Sequence, residues 1–325
     1  MKIAVLDGYS LETGKGSPWT PLGEFAEYVV YDRTPAEATV ERSAGADVLV
    51  TNKVVIGEAE LAQLPDVKLI AVTAAGTNVV DHAAAGKRGI PVCNTPAYGT
   101  DAVAQHVFAL ILELCRRTSL HHASVLDGEW NRRGDFCYWL TPQMELTGKT
   151  LGVFGFGNLG RRVAELGHAF RMNVIACAHR ETEKPDWTPF EFVSKEELFR
   201  RADVISLHCP LTEETRGLVC AETLAMMKPG ALLINTARGP VVNGRDVAEA
   251  LHSGRLGGFG TDVLEQEPPA ADEPLFGAPN VIITPHIAWA TDGARGNIVN
   301  ITLENIRAWR RGEPQNVVNK AFLKA

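Results

Sequence analysis

The chain has 325 residues, 45% of them hydrophobic and 22% charged, a globular composition with length enough for two cores. Net charge is -7 and no basic block occurs, which argues against nucleic acid as a partner; no run reaches the ~20 apolar residues of a membrane span. Six scattered cysteines (Cys93, Cys115, Cys137, Cys177, Cys209, Cys220) form no CxxC pair, so buried free thiols in a reducing, cytoplasmic setting are expected rather than disulfides or a metal.

In chain order, residues 1–8 carry too short an apolar run for a signal peptide and read as a first strand ending in a turn. Apolar runs at 3–6, 28–31, 48–50, 69–72 and 90–93 predict strands, with helical patterns at 35–44, 57–64 and 79–87 between them, an alternation that implies a parallel sheet. Residues 101–117 (DAVAQHVFALILELCRR) predict a long helix N-capped at Thr100 or Asp101. It is apolar around much of its circumference and so expected to be buried between domains or subunits. A second series of strands follows at 151–154, 173–177, 204–207, 232–234, 259–262 and 281–283, and a last helix at 290–311 is expected to return to the first domain.

The motif Gly155-Phe156-Gly157-Asn158-Leu159-Gly160 lies between the strand at 151–154 and the helix-like segment 161–170, the context a dinucleotide-binding turn requires. Its first glycine permits the tight turn, the second lets backbone approach a pyrophosphate, and the third lets helix and strand pack closely, with helix N–H groups facing the anion. The fold class expected is α/β: two doubly wound parallel-sheet domains, a Rossmann cofactor domain over 99–289 and a flavodoxin-like, discontinuous substrate-binding domain over 1–98 and 290–325, with ligands in the cleft between them.

Three chemically able residues fall just beyond strands of the second series: Arg238, Glu267 and His286. A guanidinium forks onto a carboxylate and polarises a carbonyl, an imidazolium gives its proton to the carbonyl oxygen, and a carboxylate orients the imidazole and favours its charged form. That set suits reduction of a 2-keto acid without a metal, although each residue alone also reads as an ordinary surface or capping group.

Residues 198–212 (LFRRADVISLHCPLT) and 227–239 (MKPGALLINTARG) resemble two signatures of the D-isomer-specific 2-hydroxyacid dehydrogenases, and the likeness covers nearly the whole chain. The family's catalytic arginine, glutamate and histidine match Arg238, Glu267 and His286. Stretches 51–54 (TNKV), 97–106 (AYGTDAVAQH) and 135–142 (DFCYWLTP) look closest to its glycerate dehydrogenase and hydroxypyruvate (glyoxylate) reductase branch. The resemblance implies substrate contacts from Arg238, Lys53, Ala75 and Gly76. It implies cofactor contacts from Gly155, Gly157, Asn158, Leu159 and Gly160, from His179 and Arg180, from Cys209, Pro210 and Thr215, and from Thr236, Ala237, Asp262 and Ala288. It also implies a homodimer formed through the cofactor domains.

His106 reads as a packed helix residue, His121 and His122 as solvated, and Trp139 as interface or core with a possible reach to an active site. At the end of the second cofactor strand, where NAD-preferring members carry an acid, stand Ala178-His179-Arg180; this favours NADP(H) over NAD(H) unless Glu181 or Glu183 serves the ribose. The expected reaction is NAD(P)H-dependent reduction of hydroxypyruvate or glyoxylate to D-glycerate or glycolate, with His286 as proton donor. D-lactate or another 2-hydroxy acid, and a dinucleotide-sensing corepressor-type protein, are the alternatives. Phosphoglycerate is disfavoured because no regulatory domain follows the last helix, and no nucleic-acid or membrane partner is expected.

Overall fold

Strands that read as unbroken apolar runs are buried on both faces. The computed structural model describes every residue except Thr13, Lys15, Glu181, Lys324 and Ala325. Its first sheet holds β1 (Lys2–Val5), β2 (Glu27–Val30), β3 (Val48–Thr51), β4 (Leu69–Val72) and β5 (Val92–Cys93). All are parallel, in the order β2-β1-β3-β4-β5, the flavodoxin-like arrangement. Every residue of β3 and β4 is buried, as a parallel sheet covered by helices on both faces requires. Ile3, Leu49, Ile70 and Val92 are fully enclosed.

The second sheet is β6 (Thr150–Phe154), β7 (Asn173–Cys177), β8 (Phe190–Phe192), β9 (Val204–Leu207), β10 (Ala231–Asn235), β11 (Leu256–Thr261) and β12 (Val281–Ile283). It is also all parallel, in the order β12-β11-β10-β9-β6-β7-β8. Counted from β6 this is 3-2-1-4-5-6 with one strand added, the Rossmann order with its switch point between β6 and β9. Two apolar clusters cover its faces, one around Phe199, Leu233 and Phe259, the other around Ile111, Val153 and Val204.

The chain divides into two compact units, Met1–Gly99 with Ala290–Ala325, and Thr100–Trp289. The last helix, Asp292–Arg310, packs on β4 of the first unit and is capped by Thr291, whose hydroxyl accepts the Ala294 N–H. Helix Thr100–Arg116 includes Thr100 rather than being capped there. It buries one face, through Ala104, Val107, Ile111 and Leu114, against β10, β11 and the helix Asn158–Ala169, while Leu112 stays exposed on the other.

β8 was not expected. Only three residues long and preceded by Pro189, it has no apolar run; its half-buried Phe190 and Phe192 pack on Phe156, tilted at 5.1 Å and edge-on at 5.3 Å, while Glu191 faces water. Among the described residues no helix is long and apolar enough to cross a membrane, and no His, Cys, Asp or Glu cluster could hold a metal. The cysteines are free, but Cys137 is exposed rather than buried. Burial pushes the Cys93 thiol up to about 12 and those of Cys115 and Cys209 to about 11, so they pack as apolar groups.

Candidate active site

The glycine turn after β6 is shaped by close approaches. Gly155 has φ +95, and a Cβ there would meet the His208 carbonyl at 2.7 Å and the Cys209 nitrogen at 2.8 Å. A Cβ on Gly160 would meet the Gly155 oxygen at 2.0 Å, so the third glycine lets the helix Asn158–Ala169 close on its own entry turn. A Cβ on Gly157 would meet nothing within 4 Å. The turn is therefore packed on two sides and open at the residue that caps the helix, which is the cradle a pyrophosphate needs.

Around the turn, His208 is half-buried, with Nε2 2.8 Å from the Ser206 hydroxyl and a buried Nδ1 that has no partner among the described residues. Burial pushes it down to about 3, so it is neutral. The Thr236 hydroxyl, just past β10, is buried and likewise without a partner. Thr215 ties the 209–215 loop by donating to the Pro210 carbonyl at 2.7 Å. His179 and Arg180 are both exposed, just beyond β7. Glu181 lies outside the described residues, and Glu183 is exposed.

Arg238, Glu267 and His286 follow β10, β11 and β12, three adjacent strands, at their carboxyl ends. Asn235 at the end of β10 shapes the first of these turns: its Oδ1 accepts the Ala237 N–H and its Nδ2 donates to the Arg238 carbonyl, both at 3.0 Å. Arg238 is exposed, and its Nη1 donates to the Ala237 carbonyl at 2.7 Å. Glu267 Oε1 accepts the Leu264 N–H at 3.1 Å, while Oε2 lies 2.6 Å from His286 Nδ1. Imidazole and carboxylate are thus paired through Nδ1.

The turn carrying His286 is anchored on Asp262, which is 2% exposed. Its Oδ1 accepts the Thr284 hydroxyl at 2.5 Å and the Ile287 N–H at 2.8 Å; its Oδ2 accepts the Ala288 N–H at 2.8 Å. Trp289 Nε1 donates to the His286 carbonyl at 3.0 Å.

In the first unit, Asp7 at the end of β1 accepts the N–H groups of Asn52 at 2.8 Å and Lys53 at 2.6 Å, fixing the loop after β3 with the Lys53 side chain exposed. Burial raises the Asp7 carboxyl above its ordinary range, against the lowering pull of the Lys53 and Asn52 N–H groups. The loop after β4 exposes Ala75, whose carbonyl accepts from Asn94 Nδ2 at 2.8 Å.

Residues 108–288 match the family model described as "D-isomer specific 2-hydroxyacid dehydrogenase, NAD binding domain". The chain belongs to this family. A hydroxypyruvate reductase from Blautia hydrogenotrophica is 40% identical over 98% of this chain and 100% of its own. A glycerate dehydrogenase from Methylorubrum extorquens is 42% identical over 90% and 92%. The solved TT0316 protein from Thermus thermophilus superposes with a TM-score of 0.86 at 36% identity, over 98% of this chain and 100% of that one.

This 2-hydroxyacid dehydrogenase is therefore an oxidoreductase whose second unit contains an NAD-binding domain. Two histidines have partners that the sequence does not show. His121 is not solvated: its Nδ1 donates to the Arg117 carbonyl at 2.8 Å and its Nε2 accepts the Leu140 N–H at 3.0 Å, holding the segment that bears Trp139. His106 is the packed helix residue expected, half-buried, and its Nε2 lies 2.9 Å from the Thr284 hydroxyl. Trp139 is 68% exposed.

Proposed function

We propose that this dehydrogenase reduces a small 2-keto acid, hydroxypyruvate or glyoxylate, to the D-2-hydroxy acid, D-glycerate or glycolate. The observation that carries the reading is the 2.6 Å pairing of His286 Nδ1 with Glu267 beyond β11 and β12, with Arg238 beyond the adjacent β10. The names of the hydroxypyruvate reductase and glycerate dehydrogenase relatives support this choice of substrate.

The bound nicotinamide supplies the hydride that C2 of the keto acid receives. Arg238 takes the substrate carboxylate with its fork and polarises the carbonyl. His286 holds a proton at Nε2 and delivers it to the carbonyl oxygen as C2 is reduced, so hydride and proton together convert C=O to CH–OH. Glu267, paired with Nδ1, keeps the ring oriented for the transfer. Lys53, Ala75 and Gly76 of the first unit are assigned to the substrate carboxylate, and the first unit to substrate binding. The glycine turn, the 209–215 loop, and Thr236, Ala237, Asp262 and Ala288 are assigned to the dinucleotide.

The exposed Arg180 beyond β7, with Ala178 where an acid would stand, favours NADPH, because a guanidinium pairs with a 2′-phosphate and the alanine carries no charge to repel it. Values of kcat/KM for hydroxypyruvate, glyoxylate and pyruvate with each cofactor test both statements. Turnover confined to pyruvate would replace the substrate, and a large NADH preference would reverse the cofactor choice. An absence of turnover on all three would favour the dinucleotide-sensing alternative. In Glu267→Gln, kcat for keto-acid reduction should fall about tenfold or more as the ring loses its orienting partner, and an unchanged kcat would remove the pairing from the mechanism.

A further inference from the structure

His106 and Thr284 are 178 residues apart in sequence. Two glycines of β11 bring them together. A Cβ on Gly258 would meet Leu114 Cδ2 at 2.9 Å, and one on Gly260 would meet Leu110 Cβ at 3.1 Å, so their bare backbone lets helix Thr100–Arg116 settle on the sheet. His106, Leu110 and Leu114 share one helix face at intervals of four residues. With the two leucines seated on β11, His106 reaches the turn beyond β12.

The Thr284 hydroxyl has one hydrogen. A carboxylate only accepts, so that hydrogen goes to Asp262 Oδ1 at 2.5 Å. Thr284 Oγ1 must then accept from His106, which places a proton on His106 Nε2. The result is a one-way chain, His106 Nε2–H to Thr284 O–H to Asp262, each donor polarising the next. Asp262 in turn receives the N–H groups of Ile287 and Ala288, the two residues after His286. His286 itself sits at φ +56, in the left-handed region, with its N–H turned back to the Thr284 carbonyl at 2.9 Å. A non-glycine residue holds such a conformation only where its surroundings over-determine it.

We propose that His106 is a positioning residue for the proton donor: through Thr284 and Asp262 it locks the turn that aims His286. The proposal rests on the role given to His286 above. His106 touches neither substrate nor cofactor in this scheme; it acts by keeping the Asp262 carboxylate oriented and the Thr284–Ala288 backbone closed.

The test uses His106→Leu, His106→Gln, Thr284→Val and the double variant His106→Leu/Thr284→Val in the full chain. Two readouts are taken: kcat and KM with hydroxypyruvate, and hydrogen exchange of the Ile287 and Ala288 amides. His106→Leu should lower kcat about tenfold with keto-acid KM within about twofold, because a misaimed donor slows transfer without loosening Arg238. The two amides should exchange faster. Gln places an amide N–H near the Nε2 position, so His106→Gln should restore both readouts. The double variant should be no slower than the worse single one, since both changes break the same chain. Wild-type exchange and kcat in His106→Leu would overturn the proposal. So would His106→Gln behaving like His106→Leu, which would make the role one of packing. If the wild type turns over no keto acid, the functional reading fails, and amide exchange still decides whether His106 holds the turn.

Discussion

At Arg238 the backbone is extended, φ -144 and ψ 140, and Nη1 is tied to the Ala237 carbonyl, which sets the direction of the guanidinium. A lysine could make that one bond but could not also present a planar pair of donors. Arg238→Lys is expected to lower kcat/KM for the keto acid by about 10²-fold or more while leaving cofactor KM within about threefold, read by steady-state kinetics. His208 gives a pH prediction of definite sign. Its folded value is about 3 against 6.5 for the free group, so between those pH values the unfolded chain binds a proton that the folded one excludes. Stability is full above pH 6.5 and falls as pH drops toward 3, by at most about 1.4 kcal/mol per unit. His208→Gln does not titrate, and circular dichroism against pH should place its acid unfolding midpoint lower than that of wild type. An unmoved midpoint would mean that His208 is not the group excluding the proton.

The elements carry the site because each functional turn is closed by a residue at the end of its own strand or of a neighbouring one. Asn235 closes the turn after β10, Asp262 the turn after β12 from the end of β11, and Asp7 the loop after β3 from the end of β1. The helix Asn158–Ala169 reaches its place only because Gly160 has no side chain against the Gly155 carbonyl. Here the obstructing atom is backbone, so relief requires opening the turn itself. Gly160→Ala should therefore raise the dissociation constant for NADPH at least tenfold, measured by fluorescence titration, a loss of about 1.4 kcal/mol or more. Unchanged binding would show that the dinucleotide does not use this turn.

On the scale of the whole molecule, the segment between helix Thr100–Arg116 and β6 stands out. The helix Thr118–Leu126 buries none of its residues, and Leu126, Phe136 and Trp139 are 74%, 90% and 68% exposed. Apolar side chains gathered on one arm mark an association surface. The homodimer that the family resemblance leads one to expect, built through this unit, would cover these side chains. Sedimentation of Leu126→Glu/Phe136→Glu should show a monomer where the wild type is a dimer. A wild-type monomer, or a dimeric double variant, would remove that expectation.

Much of this was readable along the chain, because parallel strands covered on both faces must be continuous apolar runs, and each such run ends where a functional loop begins. The runs at 48–50 and 204–207 are β3 and β9 almost to the residue, and the GxGxxG turn falls between β6 and its helix. β8 escaped because an edge strand of three residues has no run to read. The partners of His121 and His106 escaped for another reason. They are brought close by packing: Leu140 on the segment that folds back over the helix, and Thr284 across the sheet. Local sequence determined which elements form, which face each buries and which side chains stand at strand ends, since period and turn chemistry are properties of neighbouring residues. Only the tertiary structure decided which distant side chains meet, because such meetings depend on how closely a helix can approach a strand, and here two missing side chains on β11 set that distance.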